Sequence, residues 1–486
     1  MQPRGAALGF AHELGREARS AGVLAQGGRN LSGKKAVLVT VTPEDLAKVR
    51  KALKAPGAKA QMKAAVGRAR GAPVAKAPSS RAVESFVKGL ASVERATRVH
   101  GNDVFHSPRS ANGSLVQASL ESAAAKGVVK TEAVSPDAER VKFSTEDVAA
   151  LVGWGTTWIA GHLQGPRPKF PKPEPDPVDL PFSRVALFSD WGTGMYGAAA
   201  VRDAILADLP NLQLIVHLGD TYYAGLPDEM SERAIAMWPA PGFPPPAGCL
   251  HRALNGNHEM YGNGVAYFRD LLPKLAQKES AFCFSNGEWL IVGLDTAYKD
   301  HNLHADQVAW FDRLLALAKT RKQKVVALSH HQLFDFGRGA GKKLRQRARE
   351  LENLDQLLAW YWGHEHHAAI FERDDEFGVL GRCLGHGGMP EGRKKLAGYP
   401  VATDLGSGYA WKRFPAGEAE ACPAGVVLDG PNLAPDMPPA RRQDFAPHGY
   451  VILDFQGSRL FEEFWVVNWD GTQKRLVHRG SVDSNT

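Results

Sequence analysis

From residue 183 onward the chain alternates short, unbroken apolar runs with amphipathic stretches. RVALFSD, LQLIVHLGD, WLIVGLD and KVVALSH each end on an acid or a histidine. Runs of this kind read as strands buried on both faces. Ala198 to Leu209 and the segment ADQVAWFDRLLALAKT carry helical periodicity between them. A further strand is expected around Leu254, after a proline-rich excursion at 239–246. Near the end, YVILDF and RLFEEFWVV flank QGS and predict a β-hairpin. Together these elements predict an α/β layer architecture with buried sheets.

Before residue 183 the pattern is weaker. AVLVTVT reads as a short β-run, and Thr42-Pro43-Glu44-Asp45 opens a helix, with proline at its first position and acids in its first turn. Residues 57–82 are of low complexity and are expected to be mobile. Residues 83–160 mix helical patterns and end near Trp154 and Trp158. Seven prolines between 164 and 181 exclude regular helix and central strand. The expected organisation is an N-terminal region at 1–163, basic and partly disordered. A proline-rich linker at 164–182, the α/β domain at 183–475 and a tail at 476–486 follow.

Composition changes this picture little. No apolar stretch approaches the roughly 20 residues needed to span a bilayer. The first residues carry charges but no apolar core of a signal peptide, which makes the expected location cytoplasmic. Cys249, Cys283, Cys383 and Cys422 lie far apart, so free thiols are expected rather than a disulfide framework or thiolate zinc site. Charge is uneven. Residues 1–100 hold 19 Lys and Arg against 6 Asp and Glu, while the remainder holds 40 against 46. An anionic partner for this basic region is one reading, and a solvated segment without a partner is the other.

The candidate chemistry lies at the strand ends. Asp190 stands in SDWGTG, Asp220 in HLGDTYY, Asn257 and His258 in NGNHE, His330 in LSHHQ, and His364 and His366 in WGHEHH. In an open α/β sheet, the carboxyl ends of strands converge on one crevice. Taken singly, an aspartate after a strand is a cap or a turn. As an ordered series, the residues form a ligand set of carboxylate, amide oxygen and imidazole suited to iron, manganese or zinc. Six or seven such ligands are too many for one ion with open positions and about right for two.

These motifs resemble those of the calcineurin-like metallophosphoesterases, and within them the purple acid phosphatase branch. Asp190-Trp191-Gly192 has glycine where the superfamily's first motif has a ligand histidine, and Gly219-Asp220-Thr221-Tyr222-Tyr223 fits the GDxxY of that branch. The resemblance implies a four-layer α/β/β/α sandwich. It implies a ferric ion on Asp190, Tyr223 and His366, with a divalent iron, zinc or manganese on Asn257, His330 and His364. Asp220 would bridge the two ions. It further implies that a metal-activated hydroxide attacks phosphorus while His258 protonates the leaving group. Glu259 either orients His258 or is structural.

Other residues are less specific. His331 and His386 are candidates for substrate contact, the second in the glycine-rich run Leu384-Gly385-His386-Gly387-Gly388. His367 reads as a packing or surface residue, and the loop from Arg338 to Lys342-Lys343 as solvated. The expected substrate is a phosphomonoester, small or macromolecular. A phosphodiesterase or nuclease with the same centre and a non-catalytic scaffold are the alternatives.

Overall fold

The computed structural model describes residues 35–70, 77–107, 110–135, 138–144, 148–163, 166–237, 249–336, 341–417, 422–469 and 473–482. The proline-rich excursion at 239–246, the basic residues 1–34 and Arg338 lie outside them.

The apolar runs form two sheets. One has six strands in the order Lys474–Ser481, Arg459–Val467, Gly449–Gln456, Arg184–Phe188, Leu214–His217 and Leu250–Ala253. The other has ten, and its centre is the parallel set Trp289–Leu294, Lys324–Ser329, Leu357–Trp362 and Leu380–Leu384. The period of two along each strand assigns the layers. Val185 and Leu187 share one core with Ile291, Val326 and Leu328 of the facing sheet. Their neighbours Ala186 and Phe188 turn outward, onto Val201 and Ile205 of the helix Ala198–Asp208. On the other side Val292, Val325 and Ala327 meet Phe311, Leu314 and Leu315 of the helix Ala305–Arg321. Each such buried side chain contributes about 2 kcal/mol of transfer free energy. The result is the expected four layers, helix on sheet on sheet on helix, with the expected hairpin at Gly449–Val467.

Two expectations need correction. Within residues 57–82, expected to be mobile, Ala58–Arg70 is a helix and Ser80 begins another that runs to His100, while residues 71–76 lie outside the described residues. Ala58, Met62, Ala65 and Val66 form its buried stripe, a spacing that the alanine- and lysine-rich composition masks. The backbone of Met62 lies so close to Gly153 that a Cβ there would come within 2.6 Å of it. The boundary at 476 also fails, because it falls inside the strand Lys474–Ser481, which pairs with Arg459–Val467.

The N-terminal unit has its own core, built on a three-stranded sheet and helices including Pro43–Lys54, whose Thr42 and Asp45 form a capping box. It also shares a core with the α/β domain, where Leu38, Val104 and Phe105 meet Tyr196, Tyr222 and Tyr223. The linker is strapped down. The Trp310 indole donates to the Glu174 carbonyl at 2.7 Å, and Val178–Asp179 adds an edge strand to the larger sheet. All four cysteines are free and buried. No helix among the described residues is long and apolar enough to cross a membrane.

Burial also sets a pH dependence. It pushes His106 and His251 down to about 4 and His448 to about 3, against an ordinary 6.5. The unfolded chain takes up these protons near 6.5 and the native chain only near 3 to 4. Between those values the unfolded state binds more protons, so stability falls as pH drops through the window. Each site withdraws on the order of 3 kcal/mol across it. Urea midpoints are expected to be lower at about pH 5 than at about pH 7.5; a midpoint that rises on acidification would refute this.

Candidate active site

The strand ends deliver the motif residues to one place. Asp190 follows Arg184–Phe188, Asp220 follows Leu214–His217, and Asn257 opens a short helix after Leu250–Ala253. His330 follows Lys324–Ser329, and His364 and His366 follow Leu357–Trp362, so both sheets contribute. Asp190, Asp220 and His364 have φ of 55°, 57° and 64°. Non-glycine residues held in that left-handed region cost on the order of 1 kcal/mol or more each, and such strain clusters at functional sites. Two glycines of the motifs are steric necessities. A Cβ at Gly256 would come within 2.2 Å of Asp220 Oδ1, and one at Gly363 within 1.9 Å of Ser189 Oγ.

The ligand atoms fall into two groups, one around His330 and one around Asp190. His330 Nε2 lies 3.3 Å from Asp220 Oδ2, 3.0 Å from Asn257 Oδ1 and 3.2 Å from His364 Nδ1. His330 Nδ1 donates to the Leu218 carbonyl at 2.9 Å, which leaves Nε2 facing that cluster. In the second group His366 Nε2 stands 3.5 Å from Asp190 Oδ1, a buried oxygen with no hydrogen-bond partner. Asp190 Oδ2 accepts from the His364 amide at 2.8 Å. An orphaned carboxylate oxygen and converging imidazoles fit metal ions. Burial alone would raise the Asp220 carboxyl, but the His258 and His330 imidazoles facing it hold it well below the usual carboxylate range. Against its own burial, His330 is drawn up to about 9 by Asp220.

His258 is brought to the same centre. Its Nδ1 donates to the Tyr223 carbonyl, and its Nε2 lies 3.6 Å from Asp220 Oδ2. Glu259 holds the backbone rather than His258: its carboxylate accepts from the amides of Asp220 at 3.0 Å and Gly256 at 2.7 Å, and from the Thr221 hydroxyl at 2.6 Å. Burial, with Asp220 near by, pushes Glu259 up to about 7.

Tyr223 is placed differently from the other expected ligands. Its ring stacks on Phe105 at 4.5 Å and meets the Tyr222 ring at 3.9 Å, and its hydroxyl pairs with that of Tyr222. Gly192 explains the paired departures in the first two motifs. A Cβ there would lie 2.2 Å from the Thr221 carbonyl oxygen, so the chain bearing Tyr222 and Tyr223 occupies the space a side chain at 192 would need.

His386 turns into the sheet, its Nε2 packed toward Gly449. His331 is fully buried beside His330, its Nδ1 3.0 Å from the Thr296 hydroxyl. His367 is buried, and Lys343 pairs with Asp300 at 3.0 Å. One residue at the site was missed from sequence. His301, in the loop after Trp289–Leu294, lies against His331 with ring centroids 3.8 Å apart. The strand-end rule pointed to that loop, but Asp-His-Asn-Leu-His at 300–304 matches no motif.

Residues 183–368 match the family described as calcineurin-like phosphoesterase. No curated protein matches the chain. Among solved structures it is similar to a purple acid phosphatase from yellow lupin (Lupinus luteus) seeds, with 14% identity and a TM-score of 0.41. That likeness covers 63% of this chain and 54% of the lupin chain, so this chain spans little more than half of that protein's length. It is also similar to a dimetal phosphatase from Danio rerio, with 14% identity and a TM-score of 0.36, over 61% of this chain and 99% of that one. Likenesses this remote carry no argument about activity. All the motif residues from Asp190 to His366 fall inside the segment that matches the calcineurin-like phosphoesterase family.

Proposed function

We propose that the protein hydrolyses phosphate esters, phosphomonoesters first, at a centre of two metal ions in the manner of the purple acid phosphatases. The observation that carries this reading is the single buried carboxylate of Asp220. It faces His330 at 3.3 Å and His258 at 3.6 Å, His330 in turn meets Asn257 and His364, and Asp190 is tied to the group through the His364 amide, with His366 beside it.

Asp190 and His366 would hold a ferric ion, and Tyr223 would join them by turning its hydroxyl away from that of Tyr222. Asn257, His330 and His364 would hold a divalent iron, zinc or manganese, with Asp220 between. Bound ions supply Lewis acidity at the phosphoryl oxygens and a nucleophile at neutral pH. The protein's own groups do the rest. The Nδ1–H of His330 stays on the Leu218 carbonyl and keeps its Nε2 free as a ligand atom. Glu259 fixes the turn that aims Asp220. The Tyr223 carbonyl holds His258 so that its Nε2 faces the centre and can carry the proton for the departing alkoxide. A cytoplasmic location and a phosphorylated small molecule or macromolecule as substrate belong to the same proposal, as does an anionic partner for the basic N-terminal residues.

The test is a visible spectrum of the iron-loaded protein beside Tyr223→Phe, with paired mono- and diester assays. The expected result is a tyrosinate-to-iron band absent from the variant, and faster monoester turnover. A colourless protein, or one faster on diesters, would overturn the purple-type assignment.

A further inference from the structure

Outside the set flanking Asp220, a second group of imidazoles stands against it. Ring nitrogens of His301, His331 and His364 lie within 4.8 Å of one another. The rings of His331 and His364 are 4.8 Å apart and those of His301 and His364 5.2 Å. His331 is fully buried, its Nδ1 is taken by the Thr296 hydroxyl, and its Nε2 has no hydrogen-bond partner. His301 is arranged alike. Its Nδ1 is held 3.0 Å from Asp300 Oδ1, and Asp300 is itself held by Lys343 at 3.0 Å. Ligand histidines are oriented in this way, one ring nitrogen on an oxygen acceptor and the other left for the metal. A buried imidazole nitrogen with nothing to bond is costly unless something else occupies it.

We propose that His301, His331 and His364 form a further metal site, adjoining the proposed dimetal centre and sharing His364 with it, for a borderline ion such as zinc. Three imidazoles with the remaining position open are the pattern of a catalytic rather than a structural zinc site. Nitrogens around a tetrahedral zinc stand about 3.4 Å apart, at Zn–N of about 2.1 Å. The group therefore closes slightly on binding. His301 is the member free to move, since it is only partly buried and sits at φ 63° in a loop, beside Asp300 at 49°. The inference rests on the reading of His364 as a ligand and goes beyond it in ion count and in residues.

The test is zinc binding to the metal-stripped full chain, by equilibrium dialysis and elemental analysis, for the wild type, His301→Ala and His331→Gln. His301→Ala is the primary variant because it removes a partly exposed loop side chain, whereas His331→Gln alters a buried one. The expected result is three ions per wild-type chain and two per His301→Ala chain. A cobalt-substituted protein is expected to lose one set of visible bands in the same variant. Equal ion counts in wild type and His301→Ala would overturn the site, as would a raised KM at an unchanged ion count, which would make His301 a substrate contact. The dimetal reading fails separately, if His301→Ala binds fewer than two.

Discussion

Replacing Asp220 with asparagine is expected to lower phosphoester hydrolysis about a thousandfold while leaving the protein folded. The substitution keeps the shape of the side chain and an acceptor for the His258 amide, which Oδ1 now receives at 3.0 Å. It removes the negative charge that faces His330 at 3.3 Å and His258 at 3.6 Å. If Asp220 joins the two ligand groups, the loss falls on both metals at once. Lewis-acid stabilisation is worth several kcal/mol, and about 4 kcal/mol is a thousandfold in rate. Measured kcat/KM and metal content are expected to fall together. A variant within about tenfold of wild type, its metal retained, would show that the carboxylate does not join the groups.

The second large effect is on stability, at an ion pair one hydrogen bond from Tyr222. Glu121, on the helix Ala111–Ala125 of the N-terminal unit, accepts from the Arg233 guanidinium and from the Tyr222 hydroxyl at 3.1 Å. Its side chain is 9% exposed and that of Arg233 13%, so neither can turn to water when its partner is removed. Burial raises the Glu121 carboxyl while Arg233 opposes it, as expected of a charge that needs its partner. Glu121→Leu strands Arg233 and is expected to cost about 3–5 kcal/mol. Adding Arg233→Met removes the stranded charge and is expected to recover most of that loss. Denaturant midpoints of the two single variants and the double variant decide it. Single variants within about 1 kcal/mol of wild type would show that the pair is not what joins the units.

This pair also bears on how the N-terminal region can be tested. Removing residues 1–100 takes away the buried stretch that includes Leu38 and Leu90 and the lead-in to Phe105, which stacks on Tyr223. A deletion would disturb the candidate site along with any binding function of the basic residues.

That the motif residues stand at successive strand ends was readable from sequence because each motif is local: a strand ends, and the next few residues carry the polar side chain. The same locality gave the buried sheets, through unbroken apolar runs such as Val185 to Phe188, while the four layers were implied by the resemblance. What was not readable depends on contacts distant in sequence. The direction of the Tyr223 side chain is set by Tyr222 and by Phe105, from a unit with no recognisable motif. His301 is brought to His331 by a loop whose course the strand pattern does not specify. The helix Ala58–Arg70 was hidden by composition, since alanine stands at both buried positions, Ala58 and Ala65, and exposed ones, Ala60 and Ala64. His386 shows the opposite error: glycines on either side suggested an approach to substrate, but they serve contact with Ser189 and Glu365 of neighbouring turns.

The central claim is that two metal ions around Asp220 are necessary for hydrolysis. The most direct measurement strips the protein with a chelator and restores iron and then manganese stepwise, with bound metal and phosphomonoester turnover followed on the same samples. Manganese suits this because carboxylate- and amide-containing sites bind it in preference to purely imidazole ones. The account predicts no turnover in the stripped protein and full recovery as the second ion per chain binds. Turnover that survives complete removal, or is complete with one ion bound, would contradict it.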